Sequence, residues 1–122
     1  MGERDEGMKI RREVLGDDHV ERAIGKTTEF NADFQDLITR YAWGEIWARP
    51  GLDRRTRSYL TLVALVATNR LEEFELHVRA ALRMGVTPDE LKEVPLHCAV
   101  YCGIPAANNA FAVAQRVLDA EG

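Results

Sequence analysis

Apolar positions recur along the chain at the spacing of helices. Phe34, Leu37, Ile38, Tyr41 and Ala42 fall on one stripe, and Phe74, Val78, Ala81 and Leu82 on another. No segment alternates apolar and polar residues with the period of two that marks a half-buried strand. The pattern predicts an all-α fold of about six to seven helices. One run, from Tyr59 to Ala67, is apolar on nearly every face. A helix of that kind is expected to be covered all round, centrally in the fold or in a subunit interface.

Capping and breaking residues set the expected boundaries. Residues 9–15 form a first helix ended by Gly16, and Asp17 and Asp18 cap a second that runs to about Lys26. Asn31 caps the third, which Pro50 and Gly51 stop. Asp53 opens the helix through the apolar run, and Gly85 closes the one that follows. Thr87-Pro88-Asp89-Glu90 combines a Thr cap, Pro at the first helical position and Glu at the third, a capping box. That helix is expected to reach Cys102 and stop at Gly103, and Pro105 opens the last. Pro95 conflicts with this reading: inside a helix over 87–102 it removes a donor and should kink the rod.

Composition narrows the class. With 122 residues, 46% hydrophobic and 30% charged, the chain is sized for one globular domain, expected over 9–122, behind a polar, flexible tail at 1–8. The longest apolar stretch falls short of the roughly 20 residues a membrane helix needs. The N-terminus is charged and lacks a signal-peptide core. A cytoplasmic protein without membrane association is expected. The net charge of −4 disfavours nonspecific nucleic-acid binding. Two cysteines are too few for a disulfide framework.

Candidate chemistry is sparse. Ser58 is the one serine and lies in no nucleophile elbow, and no phosphate-binding glycine loop occurs. Cys98 and Cys102 are spaced one residue too far for a redox C-x-x-C pair, and two small core thiols are the simpler reading. With His97 they fall short of a metal's ligand set, so no metal is expected. Arg49, Arg54, Arg55 and Arg57 cluster within nine residues. Arg54 and Arg55 occupy the first turn of a helix, where the dipole disfavours cations. An anion pocket and a set of interface ion pairs both account for the cluster. Glu73 and His77 stand one turn apart, where a carboxylate could support an imidazolium acting as a general acid. His97 and Tyr101 share another face, close to the junction Gly103-Ile104-Pro105 and to Asn108.

Four blocks carry a resemblance: Tyr41-Ala42-Trp43-Gly44-Glu45-Ile46-Trp47; Arg49-Pro50-Gly51-Leu52-Asp53-Arg54-Arg55-Thr56-Arg57-Ser58; His77-Val78-Arg79-Ala80-Ala81-Leu82; and Val100-Tyr101-Cys102-Gly103-Ile104-Pro105-Ala106-Ala107-Asn108. In order and spacing they closely resemble the carboxymuconolactone decarboxylase family, from about Arg11 to Leu118. The resemblance implies the alkylhydroperoxidase-D-like helical bundle, assembly as a homotrimer or homohexamer, and cofactor-independent decarboxylation of γ-carboxymuconolactone. That substrate, a lactone dicarboxylate, belongs to the protocatechuate branch of the β-ketoadipate pathway. The implied roles are His77 as proton donor with Glu73 beside it, and Arg49, Arg55 and Arg57 holding a carboxylate. Tyr101, His97 and Asn108 are implied donors at the lactone oxygen, and Trp43, Trp47 and Tyr101 a dry wall. The thiol-peroxidase branch of the same superfamily carries cysteines where this chain has Arg70 and Glu73, and a glutamate near Ser58. That branch and a non-catalytic dicarboxylate-binding protein are the alternatives. Pro95 and His97 depart from the decarboxylase pattern, in which a leucine and often a glutamine are expected.

Overall fold

The computed structural model describes residues 2–121. Among them no strand occurs. The order is α1 (Glu3–Leu15), α2 (Asp17–Gly25), α3 (Ala32–Ile38) running into a π-helix (Thr39–Ile46), α4 (Arg54–Ala67), α5 (Leu71–Arg83), α6 (Pro88–Leu91), α7 (Glu93–Tyr101) and α8 (Ile104–Glu121). The all-α expectation holds. The chain divides into two compact units, Met1–Asp53 and Arg54–Gly122.

In the first unit α1 packs against the π-helix. Their backbones meet at Gly7 and Gly44: a Cβ on Gly7 would lie 2.1 Å from the Thr39 carbonyl oxygen, and one on Gly44 2.3 Å from that of Glu3. Residues expected as a polar tail are therefore helical from Glu3 onward, with Gly7 buried. Arg11 is buried in the same contact and donates to Thr39 Oγ1 at 3.2 Å and Gln35 Oε1 at 3.3 Å. The structure also corrects the expected stripe. Thr39 and Trp43 are buried, whereas Phe34, Leu37 and Tyr41 are exposed in the chain. Tyr41 lies within the π-helix, whose wider turn shifts the α-helical period, while Phe34 and Leu37 lie on α3, which buries no residue.

The second unit gathers α4, α5, α7 and α8 around one core, with Leu62, Phe74, Val78, Leu91, Val113 and Val117 at its centre. The capping box forms as the sequence predicts: Glu90 N–H donates to Thr87 Oγ1 at 3.1 Å, and Thr87 N–H to Glu90 Oε1 at 2.9 Å. Gly85 and Gly103 end their helices at φ 95° and 98°, in the left-handed region that glycine enters without strain. The helix expected over 87–102 is interrupted at Lys92, three residues before Pro95. α6 stops at Leu91, and Pro95 falls in the first turn of α7, where a backbone donor has no intrahelical partner to lose. The apolar α4 is covered on one side only: Ser58, Leu62 and Val66 are buried, while Leu60, Ala64 and Ala67 are exposed in the chain.

Candidate active site

The helix α5 turns Phe74, Val78 and Ala81 inward. This leaves His77 on the flank of the buried stripe, half-buried, with its Nδ1 shielded from solvent. Glu73, one turn before it, is exposed. The pair shares a helix face as the spacing predicts, but the carboxylate is in water, where its field is screened.

The first turns of α4 carry the arginines. Arg55 is exposed, and its Nη2 lies 2.6 Å from Glu90 Oε2 on α6. It also hydrogen-bonds Tyr59, one turn on. Arg57 is half-buried, its Nε shielded from solvent. Glu90 is held below the usual carboxylate range, first by the Thr87 backbone N–H, then by the Thr87 hydroxyl and Arg55. Beside this pair opens a cleft of about 380 Å³ lined by Tyr59, Val63, Glu90, Glu93, Val94 and His97.

His97 thus sits in a cleft of the second unit, exposed, with its ring centroid 5.1 Å from that of Tyr101 at a 34° tilt. Tyr101 is 76% exposed, and Asn108 is exposed near the start of α8. In the first unit the π-helix brings Trp43 and Trp47 together, ring centroids 4.9 Å apart at 32°. Trp43 is buried and Trp47 half-buried, and Arg49 follows them, exposed. Sequence reasoning missed Tyr59, Glu90 and Glu93. Glu90 carried a signal, since a capping-box glutamate has a second oxygen free to accept, but nothing local names its partner.

The cysteines take the simpler reading. Cys98 is buried in the core, and burial, with Cys102 beside it, pushes its thiol up to about 11. A thiol so poised is a poor nucleophile at neutral pH. Among the described residues no group of three or more His, Cys, Asp or Glu side chains is placed to hold a metal ion. No helix there is long and apolar enough to cross a membrane.

Comparison with known proteins decides the family. The carboxymuconolactone decarboxylase family profile matches residues 32–116. The chain is 50% identical over 112 residues to a 4-carboxymuconolactone decarboxylase of Acinetobacter baylyi, covering 92% of this chain and 84% of the relative. The chain belongs to the carboxymuconolactone decarboxylase family. It is also 46% identical over 115 residues to a nitrosuccinic acid decarboxylase of Metarhizium robertsii, covering 94% of this chain and 80% of that protein. A 4-carboxymuconolactone decarboxylase of Pseudomonas putida matches 41 residues at 54% identity, 34% of this chain and 85% of the relative.

Proposed function

We propose that the protein decarboxylates γ-carboxymuconolactone to 3-oxoadipate enol-lactone in the cytoplasm, as a homotrimer or homohexamer. The observation that carries this reading is the 50% identity with the Acinetobacter baylyi decarboxylase across 92% of the chain.

The chemistry asks little of a small helical protein. The carbon that loses CO2 also bears an acetate arm and the ring oxygen. As the C–C bond breaks, its electron pair passes through the ring double bond into the lactone carbonyl and forms a dienolate. Protonation of the carbon next to that carbonyl shifts the double bond and gives the enol-lactone. The substrate is its own electron sink, so the protein has three tasks: to hold the acetate arm, to stabilise charge on the lactone oxygen and to deliver one proton. Arg55 and Arg57, with Arg49, suit the first as bidentate carboxylate ligands. Tyr101, His97 and Asn108 are donors for the second. His77, at the edge of a core and partly out of water, suits the third, with Glu73 a weak electrostatic aid. Trp43 and Trp47 offer apolar surface on which a departing carboxylate is poorly solvated.

The test is CO2 release from enzymatically generated γ-carboxymuconolactone. His77→Ala is expected to lower kcat by about 10²–10⁴ with fold and assembly intact, the span typical of general acid catalysis. A correctly folded variant within a few-fold of wild type would remove His77 from the mechanism. A wild-type protein that releases no CO2 would overturn the activity.

The Metarhizium robertsii relative supports a second substrate. Nitrosuccinate and the lactone share a carboxylate and an acetate arm on one carbon, with an electron-accepting group attached or conjugated to it. A nitro group takes up the electron pair as a nitronate. The same arginine handle and proton donor would serve both, and kcat/KM on the two acids ranks them. Assembly draws support from the apolar side chains exposed in the chain, Leu60, Val100, Tyr101 and Ile104 among them. Light scattering that gave the mass of a single chain at micromolar concentration would sink it.

A further inference from the structure

Arg55 is an exposed, long side chain, and an unrestrained arginine loses rotamer freedom each time it closes on a ligand. In this chain it is not unrestrained. Its Nη2 is 2.6 Å from Glu90 Oε2, across 35 residues of sequence, and Tyr59 takes a second hydrogen bond. Glu90 is in turn fixed. Its other oxygen accepts the Thr87 backbone N–H at 2.9 Å, and its own N–H donates to the Thr87 hydroxyl at 3.1 Å. The carboxylate that ends the capping box is thereby a rigid arm reaching from the start of α6 to the start of α4. Glu90 and Tyr59, the two groups that hold Arg55, both line the 380 Å³ cleft that also contains His97. The rest of the guanidinium's fork of N–H donors stays available.

We propose that Glu90 is a positioning residue: anchored by the capping box at Thr87, it presets the guanidinium of Arg55 to receive the substrate's acetate carboxylate beside the cleft. The inference rests on the proposed decarboxylase reading and on Arg55 as a carboxylate ligand. Two effects of Glu90 oppose each other. Its negative charge repels a dianionic substrate, and its grip orders the arginine that attracts it. Both partners are close to half-exposed, so the repulsion is screened by water and salt, whereas the ordering gain recurs with every binding event. Positioning is the larger effect.

The experiment is a double-mutant cycle on lactone turnover with Glu90→Gln, Arg55→Ala and the pair combined, and with Thr87→Ala as control. Glu90→Gln keeps the side-chain length and removes the charge. It is expected to raise KM by about 2- to 10-fold, the cost of ordering one long side chain, and to leave kcat within about two-fold. In the Arg55→Ala background the same substitution should change KM no further, because the arginine through which Glu90 acts is gone. Thr87→Ala removes the hydroxyl that caps the Glu90 N–H but keeps the residue 87 backbone N–H that holds the Glu90 carboxylate, so it should lower the melting temperature without moving KM. Glu90→Gln that leaves KM unchanged while Arg55→Ala raises it would overturn the positioning role alone, as would an equal Glu90→Gln effect in both backgrounds. Arg55→Ala that leaves KM unchanged would remove the arginine handle, and the role of Glu90 with it.

Discussion

Substituting Gly7 by Ala sets two effects of opposite sign against each other. Gly7 lies within the 13 residues of α1, where replacing Gly by Ala normally gains about 0.8–1.0 kcal/mol of helix propensity. The structure predicts the reverse. The new Cβ would lie 2.1 Å from the Thr39 carbonyl oxygen and 2.8 Å from the Gly44 nitrogen, whereas ordinary contact begins at 3.4 Å. Every atom it meets is backbone, so no side chain can swing aside, and α1 must lift from the π-helix. Such overpacking costs typically 1–3 kcal/mol, and this clash belongs at the upper end. Subtracting the propensity gain leaves a net loss of about 2 kcal/mol. For a chain of this size that corresponds to a fall of about 6–10 °C in melting temperature. The assay is thermal unfolding followed by circular dichroism at fixed protein concentration, with Gly25→Ala as control, since a Cβ there meets nothing within 4 Å. Trp43, buried on the π-helix beside Gly44, should report the same displacement as a red-shifted emission. A Gly7→Ala protein that melts at or above the wild-type temperature would refute the close packing of α1 on the π-helix.

Two further outcomes are expected. Iodoacetamide at pH 8 should leave lactone turnover intact, because at most about one Cys98 thiol in a thousand is ionised there and the site is buried; inactivation in step with Cys98 labelling would return thiol chemistry to consideration. Asp36 is held below the usual carboxylate range by Arg40 and Arg4, Glu75 by Arg79 and Arg116, and Glu90 by Thr87 and Arg55. Groups depressed in the folded state stabilise it above their unfolded pKa of about 4, and that contribution is lost as pH falls through the lower folded values. Melting temperature should fall gently below about pH 6.5, where the unfolded chain protonates His19 more readily than the folded one. The folded ring is half-buried beside Arg11, Arg22 and Lys26 and resists the charge. The fall should steepen below about pH 4; a constant value down to pH 2 would contradict these pairings.

Local rules made most of the second unit legible. The capping box at Thr87, the glycine stops at 85 and 103 and the Phe74–Val78 stripe are each written within a few residues, and each appears where expected. Features set by packing between distant segments were not legible. Nothing in residues 39–46 alone announces a π-helix, in which Thr39 and Trp43 turn inward and Tyr41 outward. The contact at Gly7 and Gly44 exists only once two helices cross, so the first residues read as a tail. The break at Lys92 was hidden by a strong helix start on one side and a long apolar segment on the other. Pro95 was visible as a conflict, though its resolution needed the backbone. For the candidate site, spacing alone placed Glu73 and His77 on one face but could not tell that the carboxylate stands in water.

Arg55 shows how a locally unfavourable residue is accommodated. At the first turn of α4 its charge opposes the helix dipole, a cost of about 0.3–1 kcal/mol when nothing compensates it. Glu90 supplies the compensation from the start of another helix, where a negative charge is itself favoured by the dipole. One carboxylate therefore completes the α6 cap, sits well with the α6 dipole and offsets a misplaced cation on α4. The pair is exposed and adds little to stability, so stability is a weak reason for keeping an arginine at that position. A reason grounded in ligand binding is stronger. A guanidinium ordered in advance, with part of its donor fork open beside a cleft, is what an incoming carboxylate needs. The electrostatic conflict in the sequence and the ion pair that resolves it point to the same atom group, and that group is where changes in substrate affinity should concentrate.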